Sequence, residues 1–258
     1  MKQKLILFKL SKFIPLILLL AAMQWAVDAG LISNLYIASP AQFAGELWTM
    51  FSSGMIFEHI WVTLQEFFVG FGASVLLGVV LGVLVATMPK LEDFTRPYFS
   101  GIMAIPKVAL VPLLTIWFGI SLLSKGVLIF LFSFFSVFYN TISGIKQVST
   151  NHLKVARVFE ANRLQITWKV LLPSALPTIF AGVRVAAGVG FVGAIFSEML
   201  ASKSGLGNLL TKAAQLYKTG ELFAIILVVT LLSVLVIQLI DLIEKRFVLK
   251  WKYKNASK

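Results

Sequence analysis

Six long apolar stretches constrain this chain more than any other feature of its sequence. They cover residues 12–31, 60–88, 98–119, 124–144, 177–200 and 221–243. Each has about the 20 mostly apolar residues that an α-helix needs to cross a bilayer core. Because unpaired backbone polar groups are costly in lipid, spanning segments are helices or closed barrels. The sequence therefore predicts an all-α, polytopic integral membrane protein with about six transmembrane helices.

Composition supports this class and argues against two others. Only 13% of the residues are charged and 59% are apolar, whereas soluble domains carry about 25% charged residues. The net charge of +12 could indicate nucleic-acid binding, but the basic residues lie between apolar stretches and not on a soluble basic face. We therefore expect no nucleic-acid partner. The absence of cysteine excludes disulfides and thiolate metal sites.

The distribution of basic residues predicts the orientation in the membrane, because cytoplasmic loops are enriched in lysine and arginine. With the N-terminus inside, 17 of the 23 basic residues fall in inner segments, four in outer segments and two within spans. The outer residues are Lys125, Lys203, Lys212 and Lys218. We expect both termini to be cytoplasmic in a bacterial inner membrane protein. The basic start followed by an apolar stretch is interpreted as a retained first span and not as a cleaved signal peptide.

Two polar segments between the spans have their own helical signals. In the outer segment 32–58, residues 40–51 predict a short amphipathic helix at the membrane surface. The inner segment 145–176 predicts a helical hairpin. Its first helix is expected to start at Asn151, its second at an Asn162–Gln165 capping box, and Pro173 and Pro177 are expected to end the second before the fifth span.

Apolar residues recur along the hairpin at helical spacing, and basic residues occupy its other positions. The apolar set is Leu153, Ala156, Phe159, Leu164, Trp168, Leu171 and Leu172, and the basic set is Lys154, Arg157, Arg163 and Lys169. Such a hairpin can dock a cytoplasmic protein, or it can lie on anionic lipid headgroups. The residues alone leave both interpretations open.

Small residues follow each other every four positions in two of the predicted spans. The second span contains Gly70, Ser74, Gly78, Gly82 and Ala86, and the fifth contains Gly182, Ala186, Gly190 and Ala194. Such rows let helix backbones approach closely in a membrane. We predict that these two spans are inner, closely packed helices. Each row runs into an acidic residue near the outer face, Glu66 in one and Glu198 in the other.

The sequence shows no constellation of nucleophile and base that would indicate catalysis. It contains no Gly-x4-Gly-Lys-Ser/Thr phosphate-binding loop. His59 and His152 stand apart, without metal-ligand spacing, so we expect no metal site, no catalytic residue and no cofactor bound by this chain. ATP hydrolysis, if it drives the system, must occur on another chain.

Polar residues within the spans are candidates for a solute pathway, because such residues are costly and often functional. The candidates are Lys107, Tyr139, Asn140, Arg184 and Glu198. Pro106 and Pro112 flank Lys107 and indicate a broken helix. For Arg184 the alternative is that the side chain extends to the inner headgroups.

Several blocks of the sequence resemble binding-protein-dependent ABC importer permeases of the nitrate, sulfonate and taurine branch. They are IPKVALVPLLTIWFGISLLSK (105–125), FFSVFYNTISGIK (134–146) and LPTIFAGVRVAAGVGFVGAIFSEMLASKSGLGNLL (176–210), and with the outer SPAQ segment the similarity runs from about residue 36 to 245. The resemblance implies one permease domain of the type I kind over 1–258, with its core at 60–245 and a coupling hairpin at 145–176.

In that family the hairpin carries the pattern EAA-x3-G-x9-I-x-L-P, which aligns with residues 154–173 without gaps. Lys154, Val155 and Glu160 depart from it, and this branch often has arginine at the position of Glu66. The resemblance implies that the hairpin contacts the ATPase through Lys154, Ala156, Arg157, Phe159, Glu160, Ala161, Arg163, Leu172 and Pro173.

The resemblance also implies a set of partners and a cargo. The partners are two cytoplasmic ABC ATPase subunits, which bind the ATP and Mg, an extracytoplasmic solute-binding protein, a second copy of this chain in a homodimer, and membrane lipid. The cargo would be a small polar solute such as a sulfonate, nitrate or a vitamin-precursor heterocycle. An energy-independent channel and a membrane-embedded enzyme are the alternatives from other classes.

Overall fold

The computed structural model describes residues 14–246, and all regular elements within that range are helices. In chain order they are α1 (Ile14–Asp28), α2 (Pro40–Ser52), α3 (Met55–Thr87), α4 (Pro89–Ala104), a 3₁₀ turn (Lys107–Leu110), α5 (Val111–Phe118), α6 (Leu122–Lys146), α7 (Thr150–Val158), α8 (Arg163–Ile166), a π-helical turn (Thr167–Leu171), α9 (Leu172–Ala201), α10 (Leu206–Gln215) and α11 (Thr219–Glu244). The basic residues Lys2, Lys4, Lys9 and Lys12, and the basic tail from Lys250 to Lys258, lie outside the described range.

Four helices within residues 14–246 are long and apolar enough to cross a membrane. They are α3, α6, the continuous helix Arg163–Ala201 and α11. Helix α4 and the segment Lys107–Phe118 are together long and apolar enough to form a fifth span. Helix α1 is apolar but has only 15 described residues, so the first predicted span, 12–31, is seen in part. The all-α, multi-spanning class is confirmed.

The break that Pro106 and Pro112 predict in the third span, 98–119, is present, but the predicted start of that span is wrong. Helix α4 begins at Pro89, and it meets the following segment at a bend of 81°. The break follows from local chemistry, because a proline disfavours the helical conformation in the residue before it. Ile105, which precedes Pro106, has ψ 128°, in the extended region.

The predicted end of the hairpin's second helix is also wrong. Helix α8 continues through the π-helical turn into α9, so Arg163–Ala201 is one helix of 39 residues. Pro173 lacks the N–H that would bond to the carbonyl of Lys169. The wider turn at Thr167–Leu171 lies directly before it and accommodates that gap, as π-helical turns often do.

The core of the protein is built around α6, which lies between α3 and α9. The small-residue rows of α3 and α9 both face α6: an added Cβ at Gly82 would lie 2.7 Å from the Thr141 side chain, and one at Gly190 would lie 2.6 Å from Ser133 Oγ. Ser133 Oγ also donates to the Ala186 carbonyl at 3.0 Å. The prediction of inner, closely packed helices is confirmed.

Two amphipathic helices lie outside this core. Helix α2 matches the predicted helix at 40–51, with Ser39 accepting from the Gln42 N–H at its start and Pro40 in its first turn. Helix α10 was not predicted, although it buries Leu206, Leu209, Leu210 and Ala213 at helical spacing. Both helices pack with α11 around one apolar cluster.

Candidate functional site

The hairpin begins with α7, and its cap differs from the predicted one. Ser149, and not Asn151, precedes the helix, and Ser149 Oγ accepts from the Asn151 N–H at 3.3 Å. Ala156 is the residue of α7 that is buried against the rest of the protein, and Leu153 is half-buried. The helix ends at Val158, so Phe159 leaves the predicted face and points outward.

A tight turn joins α7 to α8, and Glu160 is its central residue. Glu160 has φ 52°, in the left-handed region that favours glycine. The Ala161 N–H bonds to the Ala156 carbonyl at 3.0 Å and the Glu160 N–H to the Arg157 carbonyl at 2.9 Å, which is the Schellman pattern of a helix C-terminus. The predicted capping box then starts α8, with bonds of 2.8 and 2.9 Å between Asn162 and Gln165.

The hairpin carries an exposed apolar surface, which we call the hairpin tip. Phe159 is 80% exposed and Trp168 is 63% exposed. The tip comprises Val155, Val158, Phe159, Leu164 and Trp168. Residues of this kind normally lie inside a protein or against a partner.

Basic side chains surround the hairpin tip. Lys154, Arg157, Arg163 and Lys169 are all exposed, and they take part in none of the ion pairs found within residues 14–246. Leu172 and Pro173, by contrast, are half-buried at the base of the hairpin. Leu172 packs against the core formed by α3, α6 and α9.

Two of the pathway candidates lie along one face of α6. Lys107 sits at the break between α4 and α5, with Nζ 5.9 Å from the ring centroids of both Phe132 and Phe135. The Phe135 ring lies 6.3 Å from that of Tyr139. Tyr139 in turn lines a cavity of about 310 Å³. Lys107 and Tyr139 are thus connected through aromatic side chains.

The cavity beside Tyr139 has a polar wall that the sequence did not reveal. Its polar lining is Glu92, Thr95, Arg96, Tyr139 and Lys146. Lys146 Nζ pairs with Glu92 Oε1 at 2.5 Å, which leaves the guanidinium of Arg96 as the uncompensated charge of the lining. A cavity of this kind can hold a small polar or anionic solute.

The other three pathway candidates make contacts within the protein. Asn140 Nδ2 donates to the Ser136 carbonyl of its own helix at 2.7 Å, and Asn140 packs against Gly182. Arg184 pairs with Glu244 and with Asp241 of α11. Glu198 is fully buried, so a solute cannot reach it in this conformation. We therefore do not carry these three into the proposed pathway.

Sequence reasoning also missed a buried ion pair. Lys125, predicted to lie in an outer loop, is in the first turn of α6 and is only 7% exposed. Its Nζ lies 2.5 Å from Oε1 of Glu66. The position of Glu66 at the end of the α3 row hinted at a packed acidic group, but no spacing rule joins residues so far apart in sequence.

Residues 74–250 match the protein family described as the binding-protein-dependent transport system inner membrane component. The match covers most of the chain, including the core helices α6, α9 and α11 and the hairpin. The chain belongs to this family. It is the permease subunit of an ABC importer, in agreement with the resemblance found in the sequence.

Individual permeases resemble the chain over most of its length. A putative aliphatic sulfonates transport permease of Bacillus subtilis (strain 168) is 32% identical over 88% of this chain and 83% of its own. A riboflavin transport system permease of Chloroflexus aurantiacus is 32% identical over 93% of this chain and 89% of its own. The taurine transport system permease of Escherichia coli (strain K12) is 31% identical over 84% and 81%, respectively.

The fold of this permease also matches a solved structure. The inward-facing MetNI methionine ABC transporter aligns with a TM-score of 0.60 at 22% identity, covering 75% of this chain and 94% of that chain. At this level of identity the comparison supports the fold and not the solute. It agrees with the type I permease architecture expected from the sequence.

Proposed function

We propose that two copies of this chain form the membrane path of an ATP-driven importer for a small polar solute. Two ABC ATPase subunits on separate chains would bind ATP and Mg and hydrolyse the ATP. An extracytoplasmic protein would deliver the solute. The relatives' names include sulfonate, riboflavin and taurine permeases, and we assign this chain a solute of the same broad kind: a sulfonate, nitrate or a vitamin-precursor heterocycle.

The exposed hairpin tip is the observation that carries the ATPase assignment. Large apolar side chains, Phe159 and Trp168 above all, are exposed on the hairpin, and exposed basic residues lie in the same segment. Aromatic residues and arginine are the commonest anchors of protein interfaces. A groove on the ATPase with an apolar floor and an acidic rim would fit this surface. Motion of the ATPases would then move α8, and with it the whole of α9, since the two form one continuous helix.

The proposed solute pathway follows the face of α6 that carries Lys107 and Tyr139. Lys107 lies at a helix break, where backbone groups not used in helical hydrogen bonds require internal partners or water. The cavity with Arg96 continues the path toward Lys146, at the end of α6 nearest the hairpin. The positive charges along this face favour an anionic solute over a neutral one.

The proposed orientation places the hairpin and both termini in the cytoplasm. It predicts that a cysteine replacing Ser149 reacts with an impermeant thiol reagent only after the cells are opened, whereas a cysteine replacing Lys203 reacts in intact cells. Both positions are exposed, and the chain has no cysteine of its own. Labelling of the Ser149 variant from outside would contradict the orientation.

The direct test of the proposed function is reconstitution. The chain is co-expressed with a candidate ABC ATPase from the same organism, purified and placed in liposomes with a candidate solute-binding protein. We expect the ATPase to co-purify, and the loaded binding protein to stimulate ATP hydrolysis and solute uptake together. Uptake that proceeds without ATP would favour the channel alternative, and chemical change of the solute would favour the enzyme.

A further inference from the structure

A buried polar cluster lies where residues 202–207, a turn made of the α9–α10 loop and the first two residues of α10, meet α3 and α6. Glu66 of α3 is 3% exposed and Glu198 of α9 is fully buried. Lys125 of α6 bonds to Glu66 Oε1 and, at 2.7 Å, to Ser202 Oγ. The cluster thus joins three core helices to the turn, and neither the docking surface nor the solute pathway uses it.

Glu198 contacts the same turn through a backbone hydrogen bond. Its Oε2 accepts from the Gly207 N–H at 2.6 Å. Its carboxyl group also lies next to the Thr63 hydroxyl and the carboxyl group of Glu66, and the Thr63 hydroxyl donates to the His59 carbonyl at 3.0 Å. Two acidic side chains from different helices therefore lie side by side in the protein interior, near a single ammonium group.

Each of the two carboxyl groups has one oxygen without a hydrogen-bond donor. Within residues 14–246 the buried side-chain atoms that lack a partner are Glu66 Oε2, Glu198 Oε1 and Asn208 Oδ1. The carboxyl oxygens that do have partners face Lys125 and Gly207, respectively. The two orphaned carboxyl oxygens thus belong to groups that face each other, and an ionised carboxylate can only accept hydrogen bonds.

We propose that Glu66 and Glu198 share one proton, held as a hydrogen bond from Glu198 Oε1 to Glu66 Oε2. Glu66 is then the ionised partner of Lys125, and the three groups together are neutral. One proton supplies the missing donor for both orphaned oxygens. Without it the site would bury two negative charges against one positive charge, and burial of an uncompensated charge is costly.

Groups from α3, α6 and α10 surround the shared proton. Lys125 approaches from α6 and Glu66 from α3, one turn beyond Thr63, whose Oγ1 accepts from the Leu206 N–H at 3.0 Å. His59 Nδ1 of α3 lies 3.0 Å from the Gly205 nitrogen and 3.1 Å from the Gly205 carbonyl oxygen. The Gly207 N–H, in the first turn of α10, donates to the carboxyl group of Glu198. The proton site therefore contributes directly to holding the 202–207 turn against α3.

The test compares the full-length protein with its Glu198→Gln variant, in detergent or nanodiscs. Glutamine is isosteric with a protonated glutamate, so its NH₂ can donate to Glu66 Oε2 while its oxygen accepts from Gly207. We expect the two proteins to melt within about 2 °C of each other at neutral pH. Above the pH at which glutamates ionise in the unfolded chain, the folded state holds a proton that the unfolded state has released, so wild-type stability falls as the pH rises. While the pair keeps its proton, the wild type should lose roughly 3–5 °C per pH unit relative to Glu198→Gln.

Two further measurements complete the test. The infrared band of a protonated carboxyl C=O should be present in the wild type and absent from Glu198→Gln. The double variant Glu66→Gln with Glu198→Gln leaves Lys125 buried without a counterion, and its melting temperature should fall by on the order of 10 °C. The proposal is overturned if Glu198→Gln is much more stable than the wild type at neutral pH, if the infrared band is unchanged, or if Na⁺ in place of choline stabilises only the wild type, which would make the site a cation site.

Discussion

Replacing Phe159 by alanine is expected to release the ATPase subunits and abolish solute uptake, while the chain still inserts into the membrane. Phe159 is 80% exposed at the hairpin tip, so its truncation leaves no cavity in the permease itself. At an interface hot spot, loss of an aromatic anchor costs at least about 2 kcal/mol, or roughly 30-fold in affinity. The measurements are pull-down of the ATPase and solute-stimulated ATP hydrolysis in liposomes.

Charge reversal at Arg163 should weaken the same complex more mildly. Arg163 is exposed and lies in the first turn of α8, so its contribution should shrink as salt screens it. Trp48→Ala is the matched control, since Trp48 is an equally exposed aromatic residue on α2, far from the hairpin in sequence. Wild-type coupling in the double variant Phe159→Ala with Arg163→Glu would remove the hairpin from the mechanism. Retained ATPase binding, together with uptake that no longer depends on anionic lipid in the liposomes, would indicate the lipid-headgroup interpretation.

In contrast to the Phe159 and Arg163 variants, Glu160→Gly should leave the coupling between the permease and the ATPase intact. Glu160 holds a left-handed backbone that costs a non-glycine residue about 1–2 kcal/mol. Glycine should relieve this strain and keep the Schellman turn, whereas Glu160→Ala removes the carboxylate and retains the strain. Lost coupling in both variants would show that the carboxylate itself contacts the ATPase.

The sequence predicted the helical, multi-spanning class because its signals are local. Apolar length identifies a span, and small residues at every fourth position identify a tightly packed face. Both rules concern neighbours along one helix, and both were confirmed in α3 and α9. The capping box at Asn162 and Gln165 was confirmed for the same reason, since its two hydrogen bonds join residues three apart.

The errors of sequence reasoning arose where local signals compete. Pro106 and Pro173 both predict a helix break; the break at Pro106 is confirmed, whereas the helix continues through Pro173. A π-helical turn precedes Pro173, and α9 is held by packing against α6 over its whole length. At Pro106 the segments on either side instead diverge by 81°. Tertiary packing, which the sequence pattern does not encode, decides between the two outcomes.

The contacts of the candidate site could be predicted only in part. The hairpin and its exposed surface follow from helical periodicity and the family pattern. The pairing of Lys125 with Glu66 and the contact of Glu66 with Glu198 join residues 59 and 132 positions apart, and no periodicity relates them. Such contacts depend on how α3, α6 and α9 are placed against each other, which is determined by the small residues on α3 and α9.

Gly78→Leu is expected to destabilise the packed helices and reduce the yield of folded protein in the membrane. A Cβ at Gly78 would lie 2.8 Å from the Cβ of Val137 and 3.3 Å from the backbone nitrogen of Phe138. Neither atom can move without displacing α6, so the leucine must push α3 away. Overpacking of this kind costs about 3 kcal/mol, and the apolar lipid offers no hydrophobic gain to offset lost helix–helix contact. Gly190→Leu should act in the same way through Ser133.

The matched controls lie on the same two helices. Gly72 of α3 and Gly188 of α9 have no atom within 4 Å of an added Cβ, so Gly72→Leu and Gly188→Leu make the same chemical change without a clash. We expect near wild-type yields of monodisperse protein for these two, and yields reduced on the order of tenfold for Gly78→Leu and Gly190→Leu, since 1.4 kcal/mol already shifts an equilibrium tenfold. Because α6 is held from both sides by these rows, equal yields for all four variants would mean that close approach of α3 and α9 to α6 is not what holds the core together.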